Sequence, residues 1–459
     1  MELYSENDNY KLYSGSMLDM LEVIEKESVD SIITDPPYEL NFMGKGWDNA
    51  GISFQPDTWK KCFDVLKSGG YLLAFGGSRT FHRIACAIED AGFEIRDTIM
   101  WLYGSGFPKS MNIGLAIDKK NGIDNRTGNI KTDGNGGGGV RTFSDDNYEW
   151  KREYEERVAQ NKWQGWGTAL KPSFEPIIVA RKPFKSSLVD NVIKYGVGGI
   201  NIDECRVAYL SDNDKKSSLV RFKEGQIQDT NVNFLASPLK KAKTIEELTD
   251  GRFPANTILT YDETDFEEVC GGFPNTKSQV RVSEDKDIKQ NTWSLGRTGI
   301  TPRGHNDSGS ASRYFYCAKA SKKDRDEGWE GFEEKTKVFN GKSNESSKDI
   351  KDVEERFTTK LKNIHPTVKP TELMQYLVRL VSPNGATILD PFNGSGSTGK
   401  AVMYENKERN KNYKYIGIEL TEEYLPISKA RIEYVCNLEP EANPQISIFD
   451  LDKEWLIWR

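Results

Sequence analysis

Alternating strand and helix patterns appear at both ends of this chain and fail in the long middle, and this limits the fold more than any other feature. Near the start, Val29-Asp30-Ser31-Ile32-Ile33-Thr34 is a short β-rich apolar run that stops at Asp35-Pro36-Pro37-Tyr38. Proline has no N–H for a ladder, so a central strand must end there and a stiff loop begin. Residues 54–66 have helical spacing closed by Ser68-Gly69-Gly70, and Tyr71-Leu72-Leu73-Ala74-Phe75 reads as a second buried strand. Residues 80–91 follow as helix and 93–103 as one or two further strands. The texture returns late: helix over 371–381, strand over 386–390, helix from Gly399, strand over 413–419 and helix over 422–434. Such alternation places helices on both faces of a parallel sheet. The predicted fold is α/β and doubly wound, with one sheet assembled from both chain ends.

The middle has a different texture. Residues 121–140 are rich in Gly, Asn, Asp and Thr, and 211–243 and 280–312 are polar with little periodicity. Residues 335–362 are dense in both charges. At 459 residues the chain has room for two or three domains. The net charge of −7 does not advertise nucleic-acid binding. It is unevenly placed, however, with about +2 over residues 101–360 and about −9 over the flanks. Cys62, Cys86, Cys205, Cys270, Cys317 and Cys436 contain no C-x-x-C pair, which argues against a disulfide scaffold and a structural zinc site. No apolar run approaches the ~18 residues of a membrane helix, and the first residues carry neither a basic start nor an apolar core. The expectation is a cytoplasmic protein with no membrane partner.

Two motifs carry chemistry. Asp390-Pro391-Phe392-Asn393-Gly394-Ser395-Gly396-Ser397-Thr398 lies between a strand and a helix, where open α/β sheets bind ligands. Glycines there let backbone approach a ligand closely. Glu419 closes the next strand and suits the ribose hydroxyls of a nucleoside. The same stretch nearly reads as a P-loop, Gly394 to Lys400, but Ala401 stands where a hydroxyl must hold magnesium. The ATP-binding alternative thus lacks its metal ligand. The second motif is Asp35-Pro36-Pro37-Tyr38. Two prolines fix the backbone and remove two N–H donors, leaving carbonyl acceptors beside a carboxylate and an aromatic ring. That set suits a planar amino group.

With both motifs in view, the chain resembles the amino-methyltransferases of DNA in the permuted order called the beta class. There a D-P-P-Y catalytic motif precedes a target-recognition region, and an F-x-G-x-G cofactor motif follows it. Asp35 to Tyr38 and Phe392 to Gly396 match the two motifs. His365-Pro366-Thr367-Val368-Lys369-Pro370 is similar to the segment that helps wrap the cofactor's methionine moiety. Residues 170–177 and 313–319 look like stretches of phage and prophage members.

The resemblance implies a seven-stranded, mostly parallel methyltransferase sheet, S-adenosylmethionine as cofactor and double-stranded DNA as partner. It leaves room for a homodimer and a cognate restriction endonuclease. Asp35, Pro36, Pro37 and Tyr38 become the catalytic candidates. The cofactor candidates are Asp390, Pro391, Phe392, Asn393, Gly394, Ser395, Gly396, Ser397, Thr398 and Glu419, joined by His365, Pro366, Thr367 and Lys369. Family members often carry Gly-Asp before the catalytic strand; here Ser14-Gly15-Ser16-Met17 stands, so Ser16 or backbone takes over that adenine contact. Residues 1–109 and 361–435 then form the catalytic domain, 110–360 the target-recognition region and 436–459 a tail. His82 and His305 have no ligand-like company, and no catalytic metal is expected.

The implied reaction methylates an exocyclic amine of a base flipped out of the duplex. Asp35 and the Pro36 carbonyl accept its N–H bonds, Tyr38 stacks on the base, and Trp101 and Tyr103 are core aromatics or supports for it. Asp35 at the first motif position favours adenine N6, since cytosine-N4 enzymes usually carry serine there. Cytosine-N4 methylation and an inactive DNA-binding relative are the alternatives. Methylation of RNA or protein is another, against which Asp35 and the long insert weigh.

Overall fold

The computed structural model describes residues 2–40, 51–103, 110–123, 158–209, 251–261 and 368–438, with short stretches between 215 and 361. Its central element is one sheet. The strands in chain order are β1 (Glu2–Glu6), β2 (Tyr10–Ser14), β3 (Val29–Thr34), β4 (Leu66–Phe75), β5 (Glu94–Tyr103) and β6 (Phe174–Arg181). They continue with β7 (Thr257–Tyr261), β8 (Tyr316–Lys319), β9 (Thr387–Asp390) and β10 (Lys414–Glu419). Their spatial order is β1-β2-β10-β9-β3-β4-β6-β5-β7-β8. The run from β2 to β4 is parallel throughout. β6 lies antiparallel between β4 and β5, and β7 and β8 run parallel to β5.

Two expectations need correction. Among the described residues the sheet has ten strands, not seven, and it is not built from the chain ends alone. β1 is added by a hairpin in which the Asn7 side chain accepts the N–H groups of Asn9 and Tyr10 at 2.8 and 3.0 Å. β6, β7 and β8 come from the irregular middle, so cuts at 110 and 360 do not separate the sheet from the rest. A strand only 4 or 5 residues long is too short to show a period, as with β8 and β7. Its place is set by a distant neighbour.

Alternation along the central strands feeds two cores. Ile32, Leu72, Ile178 and Leu389 face one side. There they meet Met17 of α1 (Met17–Val23), Trp59 of α2 (Pro56–Val65) and Ile84 of α3 (Phe81–Asp90). Their chain neighbours Ile33, Leu73, Ile177 and Ile388 face the other side. That face is covered by two helices late in the chain, Thr371–Val381 and Ser397–Arg409, and by Leu425–Asn437. Each fully buried Ile or Leu contributes about 1.5–3 kcal/mol, so continuous apolar strands are stable only when covered on both faces.

The chain divides into two compact units, Met1–Gly104 with Phe174–Arg459, and Ser105–Ser173. In the smaller one Asn112 caps α4 (Ile113–Lys120), accepting the Leu115 N–H at 3.0 Å. Buried Asp118 holds Gln160 N–H and the Asn161 amide at 2.7 and 2.6 Å. In the larger one α5 (Leu188–Tyr195) follows β6, and the three late helices are α6 (Thr371–Val381), α7 (Ser397–Arg409) and α8 (Leu425–Asn437). Among the described residues no helix is long and apolar enough to cross a membrane.

Candidate active site

Strand register brings the two motifs together. Leu389 lies opposite both Ile32 and Ile416, and Glu419 opposite Ser14. Counting onward, Asp35, Phe392 and Glu419 follow those paired residues at one height on the carboxyl edge, with Ser14 alongside. This edge is where parallel sheets take ligands.

The glycine loop is braced from within. Gly394 and Gly396 hold φ of 51° and 72°, the left-handed region that glycine enters freely. A Cβ on Gly396 would come within 2.6 Å of Ser428 Oγ. Asn393, expected at the cofactor, is buried; Tyr415 OH donates to its Oδ1 at 2.7 Å and its Nδ2 donates to Ser428 Oγ at 2.8 Å. Arg431 Nη1 donates to the Ser395 carbonyl and to the Ser395 and Ser397 hydroxyls at 2.9, 3.0 and 2.9 Å.

Asp390 likewise serves the scaffold. Its two oxygens accept from Thr34 and Thr398 hydroxyls at 2.7 Å each, and Oδ1 also accepts the Phe392 N–H at 3.1 Å. It thereby ties the residue before Asp35 to the start of α7. Burial pushes its carboxyl up to about 7 against those hydrogen bonds. Pro391 is buried, and Phe392 is half-buried with its ring centroid 6.3 Å from that of Trp59.

What remains for a ligand is backbone and Glu419. The Glu419 carboxylate accepts Gly394 N–H and Thr421 N–H at 2.7 Å each, which fix it at the end of β10 beside the glycine loop. Burial raises its pKa while those N–H groups oppose the rise. Gly15 N–H donates to the Glu419 carbonyl at 2.9 Å. Next to it Ser16 caps α1, accepting Leu18 N–H at 3.2 Å.

The P-loop alternative fails here. Lys400 is fully buried, with Nζ 2.7 Å from Asp324 Oδ1 and 2.9 Å from Glu327 Oε2. A lysine neutralised by two carboxylates is not available to a phosphate, and the carboxylates would repel one.

Around Asp35 the structure gathers residues from four places. Lys369 Nζ lies 2.6 Å from Asp35 Oδ2 and 3.4 Å from Glu175 Oε2. The hydroxyls of Tyr38 and Tyr103 donate to Glu175 at 2.8 and 3.4 Å. The same ammonium stands 5.0, 5.4 and 6.0 Å from the ring centroids of Phe75, Tyr38 and Trp101. Burial pulls its pKa down, but Asp35 and Glu175 outweigh that and hold it above the ordinary lysine value. Burial, then Asp35 and Glu175, push the Tyr38 hydroxyl well above its usual range. Pro36 is buried and Pro37 half-buried. Asp35 Oδ1 is buried and has no hydrogen-bond partner among the described residues.

Lys369, expected with the cofactor, is therefore seated on the Asp35 carboxylate. Glu175 was missed by sequence reasoning. The available signal was an acid inside an otherwise apolar strand, Phe174-Glu175-Pro176-Ile177-Ile178-Val179-Ala180. Trp101 is core, its indole N–H donating to Thr260 Oγ1 at 2.7 Å. His365, Pro366 and Thr367 lie outside the described residues.

A mostly parallel sheet with a glycine loop, a strand-ending acid and a rigid Asp-Pro-Pro-Tyr turn on one carboxyl edge defines a nucleoside-binding class of α/β protein. The model of the N6/N4 DNA methylase family matches residues 29–430, and the chain belongs to that family. Its cofactor is S-adenosylmethionine, which the glycine cradle and the buried Glu419 carboxylate at the end of β10 fit. Over 232 residues the chain is 30% identical to the type II methyltransferase M.HindIII of Haemophilus influenzae, covering 41% of this chain and 64% of the relative. Over 77 residues it is 32% identical to the DNA adenine methyltransferase YhdJ of Escherichia coli, covering 17% of this chain and 24% of that one. The chain thus spans less than two thirds of these curated relatives. Among solved structures, the cytosine-N4-specific PvuII DNA methyltransferase superposes with a TM-score of 0.38 at 12% identity, over 99% of this chain and 95% of that one.

Proposed function

We propose that the chain methylates adenine N6 at specific sites in double-stranded DNA, with the catalytic motif ahead of the cofactor motif as in the beta class. The observation that carries this reading is Asp35 Oδ1, a buried acceptor without a partner among the described residues, beside the glycine loop's edge of the sheet. An unpaired buried carboxylate oxygen costs about 1–3 kcal/mol, a penalty that an incoming N–H donor removes.

The amine of adenine is a weak nucleophile because its lone pair is delocalised into the ring. Asp35 and the Pro36 carbonyl accept its two N–H bonds and draw the nitrogen toward tetrahedral geometry. Tyr38, held through Glu175, offers its face to the flipped base. When bound, the cofactor would supply an electrophilic sulfonium methyl group, and the proton lost by the methylated amine would pass to solvent water. Asp35 rather than serine favours adenine, because a charged acceptor makes the stronger hydrogen bond to N–H. Residues from 110–360 outside the sheet read the target site. A cognate restriction endonuclease is compatible with the type II relatives.

The test is Asp35→Ala. Methyl transfer to duplex DNA falls below detection, while the dissociation constant for S-adenosylmethionine stays within about tenfold of wild type. Near-normal turnover in that variant would remove Asp35 from the chemistry.

A further inference from the structure

We propose that Lys369 is a positioning residue for methyl transfer: it pins one oxygen of Asp35, shields it from the charge of Glu175, and so leaves the other oxygen aimed at the target amine. The inference rests on the reading of Asp35 as the acceptor of that amine. Its first support is geometric. One nitrogen lies within 2.6 Å of Asp35 Oδ2 and 3.4 Å of Glu175 Oε2, and its side chain is 8% exposed. With Oδ2 held by a charge-assisted bond, the carboxylate cannot turn, and Oδ1 is the oxygen left without a partner among the described residues.

The second support is electrostatic. Two carboxylates share one largely buried nitrogen, and like charges so close disfavour ionisation of both unless a cation lies between them. Among the described residues, the ionisable groups around that nitrogen are Asp35 after β3, Glu175 on β6, and the hydroxyls of Tyr38 and Tyr103, which donate to Glu175. Asp390 stands behind them through Thr34. None but Lys369 is a cation. The surrounding rings of Phe75, Tyr38 and Trp101 favour a cation in this place as well. Without the ammonium the two carboxylates repel each other across the site, and Asp35 is free to turn away from the target amine.

The position in sequence assigns Lys369 to the cofactor, and the two roles separate experimentally. In full-length protein, kcat for methyl transfer to duplex DNA is measured from pH 5.5 to 9 for wild type, Lys369→Arg, Lys369→Met and Lys369→Met with Glu175→Gln. Lys369→Met is expected to lower kcat at pH 7 by about 10–100-fold, to move the acid limb of the profile upward by at least about one unit, and to leave S-adenosylmethionine affinity within about threefold. Lys369→Arg restores most of the rate, and Glu175→Gln in the Met background brings the acid limb back toward wild type. A Lys369→Met protein with weakened cofactor binding and unchanged saturated kcat overturns the proposal in favour of the cofactor role. A lowered kcat with an unmoved acid limb overturns it in favour of simple packing. Inactive wild-type protein would instead sink the reading of Asp35.

Discussion

Asp390 joins the two halves of the site through Thr34 and Thr398, and its burial has a consequence for stability. Its carboxyl sits at about 7, above the ordinary 3.8. The folded state therefore binds this proton more tightly than the unfolded state does. The stabilisation is complete below the unfolded value and is lost as pH rises toward about 7. Between pH 5 and 8 that loss is about 2–3 kcal/mol in order of magnitude. Melting of wild type and Asp390→Asn across this range checks it: the wild-type melting temperature declines with rising pH and the variant's profile is flatter. Parallel profiles would show that Asp390 does not titrate in the folded protein. Glycine gives a second prediction at this scale. Gly396→Ala drives a Cβ against Ser428, whereas Gly385, with φ of 76°, has nothing within 4 Å of its would-be Cβ. Both changes strain the backbone by about 1–2 kcal/mol. Gly396→Ala alone is expected to weaken S-adenosylmethionine binding, by tenfold or more in calorimetry.

Among the elements, those with strong periodicity were legible in sequence. The strand ending at Asp35, the strand ending at Asp390 and the helices around them fall where apolar runs, prolines and glycines put them. β7 and β8 were not legible, because strands this short are defined by pairing across the sheet. Glu175 was hidden for a related reason: an acid in a strand reads as solvent-facing until β6 is known to lie between β4 and β5. Lys369 was assigned as part of a motif block, and only the fold shows that its partner is Asp35. Helix α7 makes the contrast testable through Lys400. Lys400→Met leaves Glu327 without this buried cation and Asp324 with Arg431 at 3.8 Å in its place, and is expected to destabilise the fold by about 3–5 kcal/mol in denaturant titration. Nucleotide hydrolysis does not enter that account, and ATP should give no protection against unfolding.

At the scale of the whole molecule, target reading is the role proposed for middle residues that the sheet does not use. Val207 and Arg252 pair through both backbone N–H groups, at 3.0 and 2.7 Å, so the chain leaves and returns at one place. Residues 211–250 can therefore be replaced by a short Gly-Ser linker without moving β7. The shortened protein is expected to bind S-adenosylmethionine within about threefold of wild type and to lose discrimination between its target and unrelated duplexes. Retained discrimination would place target reading elsewhere.

The most direct test of the account is the identity of the methylated nucleoside. Duplex DNA incubated with full-length protein and methyl-labelled S-adenosylmethionine is digested, and its nucleosides are separated by mass spectrometry. The account predicts label in N6-methyladenine with wild type and none with Asp35→Ala. Label found only in N4-methylcytosine would contradict the assignment of adenine, and equal labelling by the two proteins would contradict the role of Asp35.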